Sequence, residues 1–157
     1  YGALLTCSLA YTSLQHATHL SRHTADWVKL SPEFKYLEQQ HLKDYQFYIF
    51  DISNFIGAYS QFGVIAPTRW TYHHFWRWYP TWDTDHRILE TIEQDLLKHR
   101  TTYVVDRSID IRKKNPIAYD LWQSFLREHY QPVPRSEMPA GDNLQPSIPG
   151  VILWKIK

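Results

Sequence analysis

The sequence predicts an α/β domain: a small three-layer α/β/α sandwich on a mainly parallel sheet of about five strands with an antiparallel edge. Three observations lead to it. Short apolar runs at residues 45–50, 64–66 and 102–105 alternate with stretches whose apolar residues recur at helical spacing. Two of these runs end in an acid, Asp51 and Asp106, a residue type that favours a turn at the end of a strand. A capping residue followed by proline occurs twice, at Ser31-Pro32 and Asn115-Pro116, marking two helix starts.

After Ser31-Pro32, Phe34, Leu37 and Leu42 supply an apolar stripe with Tyr36 beside it. Tyr45-Gln46-Phe47-Tyr48-Ile49-Phe50 is short and aromatic enough for a buried strand, and residues 51–54 make a strand-to-helix turn. Residues 55–61 form a short helix stopped by Gly63, and Val64-Ile65-Ala66 a second strand stopped by Pro67. Between residues 83 and 99, Ile88, Leu89, Ile92, Leu96 and Leu97 fall at helical spacing, with Glu90, Glu93, Asp95 and Lys98 on the other faces. Thr102-Tyr103-Val104-Val105 is the third strand. Tyr119, Leu121, Trp122, Phe125 and Leu126 give the helix after Asn115-Pro116 a broad aromatic face. Residues 130–133 and 151–156 pair as edge strands across a loop rich in proline, with Pro132, Pro134, Pro139, Pro146 and Pro149.

The first three strands are expected to be parallel, with right-handed crossovers, giving a Rossmann-like sheet. Phe47, Ile49, Val64, Ile65, Val104 and Val105 should be its buried strand residues, since apolar runs of this kind are best buried by a sheet covered on both faces. Asp51, residues 67–69 and Asp106-Arg107 should then gather near the carboxyl edge, where ligands of such sheets sit.

Composition narrows the function. A chain of 157 residues suits one core, here residues 31–157, preceded by a connecting segment over residues 1–30. Seventeen Lys plus Arg against sixteen Asp plus Glu leave +1, too little field to hold a nucleic-acid backbone. One cysteine, Cys7, excludes an intrachain disulfide. No apolar run approaches the roughly 20 residues of a membrane span; the nearest, residues 3–11, lacks the basic flank of a signal peptide. Five glycines without a G-x-G-x-x-G give no dinucleotide fingerprint, so no cofactor is expected, and there is no G-x-S-x-G elbow.

The order of the pieces is familiar. Tyr48-Ile49-Phe50-Asp51, then Gly63 to Pro67 with Thr68-Arg69-Trp70, the helical run from Ile88 to Leu97, Thr102-Tyr103-Val104-Val105-Asp106 and Phe125-Leu126-Arg127-Glu128-His129-Tyr130 resemble the C-terminal tail domain of bacterial polyprenol-phosphate-sugar-dependent membrane glycosyltransferases, relatives of the protein mannosyltransferases. The resemblance covers residues 35–133 as a succession of weak signals. It implies a parent with many membrane helices, a catalytic acid in an early extracytoplasmic loop, and sugar drawn from a lipid-phosphate carrier. This chain would be the extracytoplasmic domain after the last membrane helix, non-catalytic by itself, with residues 1–30 membrane-proximal and the apolar start at residues 3–11 close to that helix. Its partners would be the membrane-embedded part of the same polypeptide and a lipid-linked sugar or acceptor glycan.

The densest chemistry lies in residues 68–82. Arg69, Trp70, Tyr72, Trp76, Arg77, Trp78 and Trp82 fall within fourteen residues. Such rings stack on sugars or lie at headgroup depth in a bilayer, and the two arginines suit phosphate. The alternative use of the rings, above all Trp70 and Trp76, is packing between the second strand and the next helix. His16, His19 and His23 would align on one helical face as weak metal candidates, though no strict ligand motif accompanies them. Asp51 and Asp106 invite a paired-carboxylate reading, against which stands a turn or capping role. Two other functions compete: a free-standing carbohydrate-binding domain, and a small soluble hydrolase using Asp51, Asp106 and a histidine.

Overall fold

The computed structural model describes residues 31–50, 57–71, 83–140 and 150–157. Helix α1, Pro32–Gln39, starts as its sequence dictates, with Pro32 in the first turn and the Ser31 side chain accepting the Phe34 amide at 3.4 Å. Helix α4, Pro116–His129, repeats the device: Asn115 Oδ1 accepts the Ala118 amide at 3.1 Å. Between them lie α2, Gly57–Phe62, and α3, Arg87–Lys98. Asp83 reaches into the first turn of α3, where its carboxylate accepts the amides of Ile88 (2.9 Å) and Leu89 (3.2 Å). That satisfies amides which His86, at the N-cap with φ 58°, leaves without a side-chain acceptor. Short 3₁₀ turns occupy Ser108–Asp110 and Arg135–Glu137.

Four strands form one mixed sheet: β1 Phe47–Phe50, β2 Tyr103–Asp106, β3 Tyr130–Pro132 and β4 Ile152–Ile156, in the order β1-β2-β4-β3. β1 and β2 are parallel, with Ile49 opposite Val105. β4 runs antiparallel to both β2 and β3, with Val104 opposite Trp154 and Gln131 opposite Lys155. The expectation of about five mainly parallel, Rossmann-like strands is therefore corrected. One adjacent pair is parallel and two are antiparallel.

The missing parallel strand is the run at residues 64–66. The α2 helix ends in a left-handed turn at the surface: Gly63 takes φ 64°, its amide meets Ser60 O, and the Val64 amide meets Tyr59 O. Val64 turns into the core, while Ile65, expected to be buried, is 57% exposed. The Ile65 backbone is tied to the loop ahead of β1, its amide on Asp44 Oδ1 (2.8 Å) and its carbonyl on the Tyr45 amide (2.8 Å). A side chain satisfies β1 where a neighbouring strand was expected: the Tyr59 hydroxyl accepts the Ile49 amide at 2.9 Å. Tyr59→Phe should therefore cost about 1–2 kcal/mol by leaving a buried amide unpaired, read as a lower denaturation midpoint with an unchanged slope.

Alternation along the strands fills two cores. Phe47, Ile49, Tyr103, Val105 and Leu153 face one way and pack with α1 and α2 through Phe34, Leu37 and Tyr59. Tyr48, Phe50, Val104 and Trp154 face the other, against Leu89, Ile92 and Leu96 of α3 and Trp122, Phe125 and Leu126 of α4. Helices thus cover both sheet faces, which explains why β1 and β2 are buried at every position. The apolar face of α4 is narrower than the sequence suggests, because Leu121 is 44% exposed. Among the described residues no helix is long and apolar enough to cross a membrane.

Candidate functional site

Asp106 ends β2 beside the end of β1, where the Arg107 amide donates to Phe50 O at 2.9 Å. Its side chain points inward. Oδ1 accepts the Ser108 amide and the Trp122 indole N–H, each at 2.9 Å, and Oδ2 accepts Gln123 Nε2 at 2.8 Å. Gln123 Nε2 also meets Ser108 Oγ at 2.9 Å. Burial pushes the carboxyl above its usual range, and the bonds from Trp122, Ser108 and Gln123 pull it part of the way back. With the residue 3% exposed, this carboxylate ties the end of β2 to α4 and closes the turn at Ser108.

Arg69 and Trp70 stand differently. Tyr48, wholly buried on β1, donates its hydroxyl to Trp70 O at 2.7 Å, and Thr68 Oγ1 accepts the Trp70 amide at 3.3 Å. Trp70 is half-buried and packs against the cluster that holds Phe50 and Trp122. Arg69 is exposed, its guanidinium carbon 5.1 Å from the centre of the Trp70 ring. Its charge is held against an aromatic face at the surface and, among the described residues, forms no ion pair. The first ring of the aromatic segment is thereby divided between core and surface. Tyr72, Arg77, Trp78, Trp82, Asp51 and the histidines His16, His19 and His23 lie outside the described residues, as does Trp76.

A second feature has no counterpart in the sequence expectations. A cleft of about 410 Å³ opens between α3 and α4 over Leu89 and Phe125, with Glu90, Glu93 and Glu128 along its sides. Burial, and then the neighbouring charge of Glu90, push the Glu93 carboxyl up to about 7. By spacing alone Glu90 and Glu93 belong to solvated faces of α3; they become a cleft wall only with α4 opposite. Because its value is raised, the folded state holds the Glu93 proton more tightly than the unfolded chain. This group's contribution to stability is therefore greatest in acid and is lost as pH rises from the usual carboxylate range through about 7. Glu93→Gln should be more stable than the parent by roughly 1 kcal/mol above neutral pH, after allowance for solvent screening, with the difference vanishing in acid. Chemical denaturation across pH reads this directly.

Among the described residues no group of three or more His, Cys, Asp or Glu side chains is arranged to hold a metal ion. Fold and site together define a mixed α/β domain with an enclosed carboxylate, an exposed arginine on a ring, and an acidic cleft. No family model, curated protein or solved structure matches the chain.

Proposed function

We propose that the chain is a non-catalytic extracytoplasmic C-terminal domain of a membrane glycosyltransferase that draws sugar from a lipid-phosphate carrier. Residues 69–82 would be its face toward the bilayer or the membrane-embedded catalytic part. The observation that carries this reading is Arg69. It is exposed, laid on Trp70 and anchored through Tyr48, at the head of a segment containing Tyr72, Arg77, Trp78 and Trp82. An arginine beside rings at a surface suits a phosphate-bearing lipid headgroup with an apolar layer behind it. The enclosure of Asp106 supports a non-catalytic role, since its oxygens are taken up by the chain's own donors. Residues 1–30 would connect the domain to the membrane.

Vesicle flotation tests this. The chain should float with phosphatidylglycerol vesicles more than with phosphatidylcholine vesicles. Arg69→Glu, and separately Trp78→Ala with Trp82→Ala, should reduce that flotation while leaving the melting transition nearly unmoved. Loss of about 3–5 kcal/mol of stability for each tryptophan would instead assign those rings to the core. The purified chain should transfer no sugar from a polyprenyl-phosphate donor, and turnover by it would overturn the proposal.

A further inference from the structure

We propose that the cleft between α3 and α4 is a docking site for a cationic amphipathic polypeptide helix, one that sets Lys or Arg beside bulky apolar side chains. The two helices offer matching rows. On α3, Leu89, Glu93 and Leu97 succeed one another at four-residue spacing, and on α4 Leu121, Phe125 and His129 do the same. The row on α3 covers roughly 12 Å, about two turns of an incoming helix. Leu89 and Phe125 form the buried floor of the cleft, and the apolar residues at its edge are open to solvent: Leu97 is 43% exposed and Leu121 44%, while Ile117, one turn earlier on α4 and beyond the cleft lining, is 61% exposed. Apolar side chains grouped this way along a groove are the usual anchor points for a helix laid into it.

Charge selects the occupant. Four carboxylates line the cleft, those of Asp85, Glu90, Glu93 and Glu128, and among the described residues no Lys or Arg does, although the chain as a whole is +1. Asp85 is already paired with Arg87 at 2.8 Å and Glu128 stands 3.7 Å from His129 Nε2, which leaves Glu90 and Glu93 on α3 as the principal groups to meet incoming cations. Glu90 and Glu93 stand one turn apart on α3 with like charges, so a cation seated beside both is favoured by each. His86, at the head of α3, adds a buried Nδ1 that has no hydrogen-bond partner among the described residues. A nucleic acid or a phosphate headgroup would be repelled here. This surface shares no residue with the Arg69 segment, so it can bind a helix whether or not that segment meets a membrane.

The test uses the whole chain and two labelled synthetic helices, one with Lys and Leu at helical spacing and one with Glu replacing every Lys. Fluorescence anisotropy should show saturable binding of the Lys/Leu helix, weakening as salt is raised, and none of the Glu/Leu helix. Glu90→Lys with Glu93→Lys, and separately Leu97→Asp with Leu121→Asp, should each weaken binding by roughly tenfold or more, with circular-dichroism melts confirming folding. Glu38→Lys with Glu137→Lys makes the same change in net charge away from the cleft and should leave binding nearly unchanged. On the unaltered protein, the Lys/Leu helix should slow amide exchange in α3 and α4. Absence of saturable binding, equal binding of the Glu/Leu helix, an equal loss in the control variant, or protection confined to other elements would each overturn the proposal.

Discussion

Replacing Trp122 by alanine should destabilise the domain by about 4–5 kcal/mol, the upper end for truncating a buried aromatic. The indole is wholly buried and stacks on Phe50 at 4.1 Å between ring centres, with Phe125 stacked at 5.5 Å. It joins the sheet to α4, so the cavity left behind is bounded by a strand on one side and a helix on the other. Neither collapses easily into the space. The loss is larger than packing alone because the indole N–H is one of the donors on the Asp106 carboxylate. Trp122→Phe separates the two contributions: it keeps most of the ring area and removes the donor, and should cost about 1–3 kcal/mol. Denaturant unfolding of the three proteins reads this order, and equal stability of Trp122→Phe and the parent would show that the bond to Asp106 contributes nothing.

Asp106→Ala should cost about 3–5 kcal/mol, because it strips the acceptor from the buried Ser108 amide and Trp122 Nε1 and leaves Gln123 Nε2 with Ser108 Oγ alone. Asp106→Asn should be much milder, within about 1–2 kcal/mol, since its amide oxygen still accepts two of these bonds and Gln123 can turn its own amide to suit. Protonation works in the same direction. Burial raises the Asp106 carboxyl above its usual range, so the folded state binds its proton more tightly than the unfolded chain. The stability linked to this group is fully present in acid and declines as pH rises through the folded value. Asp106→Asn should flatten that part of the pH profile. The double change Asp106→Ala with Trp122→Ala should cost less than the sum of the single changes by about 1–2 kcal/mol, because the two share one hydrogen bond. Strict additivity would show the two side chains to be uncoupled.

Elements with local causes were legible in the amino-acid order. Ser31 and Asn115 cap their helices because a short polar side chain beside a proline reaches the amide three residues on. The α3 helix comes from the spacing of Leu89, Ile92 and Leu96, and β1 and β2 from apolar runs too short and too continuous for a surface position. The exposed placement of Arg69 and the division of Trp70 between core and surface belong to a segment already conspicuous for its rings.

Other features depended on how distant parts of the chain meet. Val64-Ile65-Ala66 has strand composition, but the turn at Gly63 and the ties to Asp44 and Tyr45 hold it outside the sheet, with Tyr59 meeting the amide of Ile49. Strand order was equally hidden. The sense of a strand pairing depends on where the chain returns from, and β4 enters beside β2 only after the proline-rich loop. Leu121 reads as core by spacing and is nearly half exposed where the cleft opens between α3 and α4, and Glu93 becomes a shifted acid only because that packing buries it in part. Asp106 reads first as a turn or capping residue and second as a reactive carboxylate, and neither reading foresees that Trp122 and Gln123, sixteen and seventeen positions on, are brought to its oxygens. Caps and periodicity are properties of a few consecutive residues, whereas exposure, cleft formation and the protonation of a buried acid are properties of which surfaces meet.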